Sequence, residues 1–144
     1  MSTFASKEEK TVIIMKKLIL MTLMLIAAVT TMTAQKPAEI KFDTLTHNFG
    51  TFSENEPIVT CVFKFTNVGE MPLVINQAVA SCGCTVPEYT KTPIQPGQKG
   101  EIKVTYNGTG KFPGHFKKSI TVRTNGAKEM TRLYIEGDMT EASK

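Results

Sequence analysis

The sequence has no tryptophan, only three cysteines and only two histidines in 144 residues. The cysteines, Cys61, Cys82 and Cys84, include no pair at the spacing of the antibody bridge, so an antibody domain is excluded. Nothing resembles a phosphate-cradling loop or a pair of carboxylates arranged for acid–base chemistry. These absences leave Cys82 and Cys84 as the place where reactive side chains lie close together.

Glycine and proline are both missing from the first 34 residues, and all ten glycines and all seven prolines come later. In this first part, Lys16 and Lys17 precede an apolar run over residues 18–29, and small and polar residues then lead to Ala34. A basic region, an apolar run of about 7–15 residues and a small-residue exit are typical of a secretory signal peptide. We therefore predict a signal peptide over residues 1–34, cleaved after Ala34, and one exported domain over residues 35–144.

The same segment allows an uncleaved membrane anchor as an alternative, although a bilayer needs a run of about 20 apolar residues. In that case the membrane would be contacted only through this N-terminal segment. No cysteine stands at the end of this segment near the predicted cleavage site, so a lipid-modified cysteine is not indicated. Met15 directly precedes Lys16, and residues 1–14 are therefore a candidate start-site artefact. The predicted location is the periplasm or the cell surface.

Basic residues are scattered singly along the predicted domain. Residues 35–144 carry thirteen Lys and Arg and eleven Asp and Glu, since four of the basic and two of the acidic residues lie upstream. The resulting charge is +2, against +4 for the whole chain. Without a basic cluster, no nucleic-acid partner is predicted.

From Ile40 onward the apolar residues recur with a period of two, which indicates strands, and no helical period is long enough to predict a helix. In the clearest strand, Val59, Cys61, Phe63 and Phe65 share one face. Six further segments alternate or lie between turn signals, namely residues 40–42, 46–52, 73–80, 101–106, 116–124 and 131–136.

Short strands at close spacing, separated by Gly, Pro and Asn, predict an all-β domain, specifically an immunoglobulin-like antiparallel β-sandwich of about seven strands. Ile102, Val104 and Tyr106 are predicted to point into its core, as are Ile120 and Val122. A small closed barrel is the alternative fold.

Several short motifs resemble a known family, and they cover nearly all of residues 35–144. They are Phe49-Gly50-Thr51, the segment from Phe63 to Gly69, Pro72-Leu73, Ser81-Cys82-Gly83-Cys84-Thr85-Val86-Pro87, Pro96-Gly97 and Gly100-Glu101-Ile102. Together they resemble the bacterial domain of unknown function 1573, with the Ser-Cys-Gly-Cys-Thr segment as the most specific part. That family is similar to the immunoglobulin-like domains of the major sperm protein and Hydin type.

The resemblance implies an exported immunoglobulin-like domain, common in Bacteroidetes-type bacteria, and no established activity. The motif residues carried over are Ser81, Gly83, Thr85 and Pro87, with Cys82 and Cys84 as a candidate disulfide or redox pair. Cys61 is not part of the family's motif.

Cys82 and Cys84 can form a disulfide only if the chain bends at Gly83, because two extended residues span about 7 Å and a disulfide needs Cα atoms about 4.4–6.8 Å apart. Oxidation is compatible with an exported protein. A loop this small would add little stability, and a strained bridge would be easily reduced, which is the argument for a redox role. No Lys, Arg or His adjoins the pair in sequence to lower a thiol pKa.

A soft metal such as Cu(I) is a second chemical option for two thiolates, with His47, His115 or Met71 completing a site. Zinc would need a second pair of ligands, which the sequence does not offer at close spacing. We predict no catalytic residue, metal or cofactor. Both histidines are expected at the surface.

Cys61 shares parity with Phe63 and is predicted to be a small core residue, although a bridge from it to Cys82 or Cys84 stays open. The favoured function is a non-enzymatic structural or protein-interaction module of the envelope, whose partner is an unknown envelope protein or glycan. An extended peptide could add to a sheet edge at residues 40–52 or beside the Cys82 loop. The alternative function is a thiol-redox or copper-handling protein that uses Cys82 and Cys84.

Overall fold

A computed structural model of the chain describes residues 3–28 and 33–143. The chain divides into two units, Met1–Ala34 and Gln35–Lys144. Helix α1 (Thr3–Ala28) belongs to the first unit. The second contains eight strands in its described part: β1 (Ile40–Phe42), β2 (Thr46–Ser53), β3 (Ile58–Asn67), β4 (Ile75–Ala80), β5 (Thr85–Tyr89), β6 (Lys99–Asn107), β7 (Gly114–Thr124) and β8 (Met130–Thr140).

The predicted apolar run over residues 18–29 lies mostly within α1. Val29, Thr30 and Thr31, which end the run and begin its small-residue exit, lie outside the described residues. Among the residues that the structure describes, no helix combines the length and the apolar character needed to cross a membrane. The signal peptide stays a prediction.

The strands form two four-stranded sheets, which confirms the predicted β-sandwich over the closed barrel. Sheet 1 has the order β1-β3-β6-β5 and sheet 2 the order β2-β8-β7-β4. Each sheet therefore has two edge strands, with β1 and β5 on sheet 1 and β2 and β4 on sheet 2.

The structure differs from the predicted sandwich in two details. There are eight strands where about seven are predicted. The additional strand, β5, begins inside the Ser81–Pro87 motif and includes Pro87, a residue that weakens a strand signal. The sheets are also not wholly antiparallel, since β2 pairs with β8 in parallel, with a register shift between Asn48 and Thr51. Gly50 occupies this shift with a φ of 68°.

Alternation along the strands builds the core as the sequence predicts. Cys61, Phe63 and Phe65 of β3 are buried, with the two phenylalanines each 1% exposed. Burying a side chain of that size stabilises the fold by about 1.5–3 kcal/mol. Ile102, Val104, Tyr106, Ile120 and Val122 are buried as well, which confirms their predicted orientation.

Asn67, at the end of β3, organises one end of the sandwich. Its side chain is fully buried. Its Oδ1 accepts hydrogen bonds from the backbone N–H groups of Gly69 and Glu39, and its Nδ2 donates to the carbonyls of Met71 and Ile94. One amide therefore bonds backbone groups of the segment before β1, the β3–β4 loop and the β5–β6 loop, so that all of its own hydrogen-bonding groups have partners, as a buried polar side chain requires.

Candidate functional site

The Cys82–Cys84 loop lies at the opposite end of the sandwich from Asn67 and carries the chain from one sheet to the other. It follows β4, an edge strand of sheet 2, and precedes β5, an edge strand of sheet 1. The two cysteines form a disulfide, with Cα atoms 5.3 Å apart. The chain therefore bends between them, and the bridge closes a single-residue turn at the side of the sandwich.

Backbone hydrogen bonds fix this turn to its neighbours on both sheets. Ser81 donates its N–H to the carbonyl of Ser119 on β7, and its hydroxyl accepts from the N–H of Ser119. On the other side, the carbonyl of Cys84 accepts from the N–H of Asn107 at the end of β6. The disulfide thus sits on a rigid crossover.

Thr85 is the buried member of the motif, with 4% of its surface exposed. Its hydroxyl lies 3.5 Å from the sulfur of Cys82 and 3.9 Å from that of Cys84. Its backbone N–H donates to the carbonyl of Cys82 at 3.3 Å. Sequence reasoning placed Thr85 in the motif but offered no signal for this contact with the sulfurs.

Gly83 is exposed, and a Cβ added there would have nothing within 4 Å. Its φ is not among the positive values, which belong to Gly50, Gly97, Gly110 and Gly114. Neither space nor backbone conformation therefore demands a glycine at this position.

Cys61 lies on β3 opposite Val104 of β6 and is a free, buried thiol. Its predicted role as a small core residue is confirmed, and the alternative bridge to Cys82 or Cys84 is wrong in this structure. Burial raises the pKa of the Cys61 thiol from 9.0 to about 11, because the thiolate would lose its hydration. Such a thiol is unreactive at neutral pH.

The side chains considered as copper ligands do not gather around the disulfide. His47 is on β2, which β8 and β7 separate from β4 in sheet 2. Met71 belongs to the Asn67 end of the domain. His115 is exposed and its Nδ1 lies 3.0 Å from Oδ1 of Asp138. In residues 3–28 and 33–143, no three side chains of the metal-binding types are grouped.

The two edge strands beside the loop differ in how many unpaired backbone N–H and C=O groups they present to a further strand. In an antiparallel pair, every second residue bonds its backbone to the neighbouring strand, and the Cys84–Asn107 bond fixes which residues of β5 do so. The backbone N–H and C=O groups of Thr85, Pro87 and Tyr89 therefore face away from β6. Pro87 has no N–H, and the N–H of Thr85 is already bonded to Cys82. The β5 edge is therefore largely closed to a further strand.

On β4 the corresponding edge is open. The Ser81–Ser119 bond sets the alternation here, so Val79 bonds to β7 while Ala78 and Ala80 face outward. In the described part of the chain, neither alanine N–H has a partner outside the β4–β7 ladder. Sequence reasoning named a strand beside the Cys82 loop but could not tell β4 from β5.

These features define an immunoglobulin-like β-sandwich with a disulfide in the crossover between its two sheets. The family model described as "Protein of unknown function (DUF1573)" matches residues 40–139. The chain therefore belongs to the DUF1573 family, which confirms the resemblance drawn from its motifs. No curated protein matches the sequence.

Solved structures share the fold at low sequence identity. A protein of unknown function from Porphyromonas gingivalis W83 has a TM-score of 0.62 and 14% identity, over 76% of this chain and 50% of that one. This chain thus spans half of the Porphyromonas structure. The PapD-like domain 7 of human CEP192 has a TM-score of 0.60 and 12% identity, over 80% and 94%.

Proposed function

We propose that this protein is an exported, non-enzymatic module of the bacterial envelope that holds an extended segment of a partner protein at a sheet edge. The predicted signal peptide over residues 1–34 supports export, and the oxidised Cys82–Cys84 pair agrees with an oxidising compartment. The domain lies in the periplasm or at the cell surface.

The observation that carries the binding role is the open backbone of β4. An unpaired strand edge is a template for another strand, and proteins usually blunt such an edge with charge, proline or a covering element. β4 has the sequence Ile-Asn-Gln-Ala-Val-Ala, with neither charge nor proline. An uncharged edge that is left open over Ala78 to Ala80 fits a protein whose role is to pair with a partner strand.

The position of Thr85 favours a second candidate function, thiol-redox or copper-handling chemistry. The disulfide is partly exposed, and a hydroxyl within reach of both sulfurs could donate to a thiolate once the bridge is reduced. A measured reduction potential and Cu(I) titration of the reduced protein test this candidate. A potential below about −300 mV, the range of structural bridges, together with no Cu(I) uptake that depends on both cysteines, would eliminate it.

The test of the proposed function is crosslinking in intact cells of the host. The tagged full chain is expected in the envelope fraction, where a crosslinker should join it to a specific protein. The matched control lacks residues 2–34 and should stay in the cytoplasm without that product. A cytoplasmic full chain, or an envelope chain that yields only glycan or no specific adduct, would contradict the proposal.

A further inference from the structure

The four sheet edges differ in how far they are protected. β1 has only three residues, one of them Lys41. β2 is interrupted by the register shift at Gly50, whose N–H is occupied by the side chain of Asn48. β5 is closed by Pro87. β4 is the remaining edge. It too has a register shift, between Ile75 and Gln77, but its pairing with β7 is regular from Gln77 to Ala80, and its end is fixed by the bond between Ser81 and Ser119.

The backbone of β4 offers two donors and two acceptors in a row. Ala78 and Ala80 direct their N–H and C=O groups away from β7, as the alternation requires. A segment of about five residues can satisfy all four groups, because paired backbones bond at every second residue. These four groups bind the backbone of an extended partner segment and do not distinguish one side chain from another.

The inner side of this edge is lined by apolar side chains, and those of β4 itself are small. Ala78 and Ala80 are half-buried and pack against the core, as do Cys84 and Tyr89 on the β5 side. We call these four residues the β4–β5 seam. The hydroxyl of Tyr89 lies 3.5 Å from the carbonyl of Asn76, and this contact joins β5 to β4 at one end of the β4–β5 seam. The disulfide loop joins the two strands at the other end.

The outer side carries positive charge. A shallow depression of about 360 Å³ runs along the outer face of β4 and β7, past Val79, Ser119 and Thr121 to Arg123. Arg123 is exposed, and its side chain makes no ion pair or hydrogen bond with the rest of the described chain. Arg132 lies on the same face, in register with Thr121. Strands lie about 4.8 Å apart, so a strand added beyond β4 would lie about 10 Å from β7. The long side chain of an arginine on β7 can reach over β4 toward a carboxylate that extends from the added strand.

We propose that the β4 edge binds an extended partner segment whose inward residues are small and apolar and whose outward residues include a carboxylate facing Arg123. This inference rests on the proposed function and names the partner's chemistry. A second copy of β4 fits less well, because its sequence has no acidic residue to meet Arg123.

The experiment uses a displayed library of random ten-residue segments selected on the purified full chain. Ala78→Pro is the blocked variant, since it removes an outward N–H without removing a bond of the β4–β7 ladder. Arg123→Glu reverses the charge of the depression. Lys99→Glu, an exposed residue of sheet 1, is the matched charge control.

Selected segments are expected to alternate apolar and other residues and to be rich in Asp and Glu. They should bind Ala78→Pro at least tenfold more weakly than the wild-type chain, and Lys99→Glu with unchanged affinity. Segments selected on Arg123→Glu should be rich in Lys or Arg in place of Asp and Glu. Binding should protect the amides of Ala78 and Ala80 from hydrogen exchange. Because Arg123→Glu leaves the backbone edge intact, the charge test holds even if Ala78→Pro fails to fold.

Three results would overturn the inference: no segment enriched over the blocked variant, protection only at other amides, or dimers that depend on Ala78 and exclude the segments. If crosslinking in cells still yields a specific partner while these tests fail, the partner binds elsewhere and the proposed function survives. If no partner is found in cells, the proposed function fails first.

Discussion

The hydroxyl of Thr85 lies 3.5 Å from the sulfur of Cys82, so a buried residue at the start of β5 contacts the bridge that ends the crossover from β4. The crossover is held by backbone bonds to Ser119 and Asn107 in addition to the bridge itself. We therefore expect the fold to tolerate loss of the disulfide.

The first prediction concerns replacement of both bridge cysteines by serine. Because the bridge closes a loop of only three residues, loop-closure entropy gives it about 1–2 kcal/mol of stability. Urea unfolding of the Cys82→Ser, Cys84→Ser variant should show a loss of this size. Dithiol reduction of the wild-type chain should give the same loss, and a loss above about 4 kcal/mol or an unfolded variant would contradict the argument.

Two glycines should respond in opposite ways to alanine. A Cβ on Gly69 would lie 2.6 Å from the backbone nitrogen of Glu39 and 2.7 Å from Cα of Ala38, whereas one on Gly83 would meet nothing within 4 Å. Gly69→Ala should therefore cost more than about 2 kcal/mol, and Gly83→Ala less than about 0.5 kcal/mol with the disulfide retained. Thermal unfolding and thiol counting distinguish these outcomes, and a reversed order would refute the geometry.

Asn67→Ala should be among the most damaging single substitutions. It leaves the carbonyls of Met71 and Ile94 and the N–H groups of Gly69 and Glu39 without their side-chain partner. Unsatisfied buried groups suggest a loss of about 3 kcal/mol in the free energy of unfolding. Asn48→Ala, which removes one exposed bond to Gly50, is the control and should cost less than about 1 kcal/mol. Equal losses would show that the Asn67 network is not what stabilises this end.

Cys61 gives a prediction for pH. Its thiol pKa rises from 9.0 to about 11 on burial, so the folded state favours the protonated thiol. The contribution of Cys61 is constant below about pH 9 and falls by about 1.4 kcal/mol per pH unit between pH 9 and 11, where only the unfolded thiol ionises. Between pH 8 and pH 10.5 the stability difference between wild type and Cys61→Ala should shift by about 2 kcal/mol. No shift would mean that Cys61 is not desolvated.

The period of two predicted most of the sandwich, because inward residues such as Phe63, Ile102 and Val122 must be apolar wherever two sheets face each other. It missed β5, since five residues that include a proline carry a weak strand signal. The parallel pairing of β2 with β8 could not be predicted either, because the alternation of apolar residues along one strand does not indicate the direction of its neighbour.

The candidate site was predictable only in part. The spacing of Cys82 and Cys84 drew attention to their loop, but the contact of Thr85 with the sulfurs depends on the bend at the start of β5. Which edge is open depends on which residues of β4 and β5 direct their backbone groups outward. The bonds of Ser81 and Cys84 fix this, and both are made to residues distant in the sequence. Asn67 gave no signal because its four partners are all backbone groups.

The central claim is that this protein recognises a partner through a strand edge rather than through thiol chemistry. Its most direct test is the amount of partner crosslinked in intact cells by the Cys82→Ser, Cys84→Ser full chain, compared with wild type at equal envelope abundance. The account predicts equal recovery. Loss of the partner from a variant that is still folded and exported would contradict it and favour thiol-dependent binding.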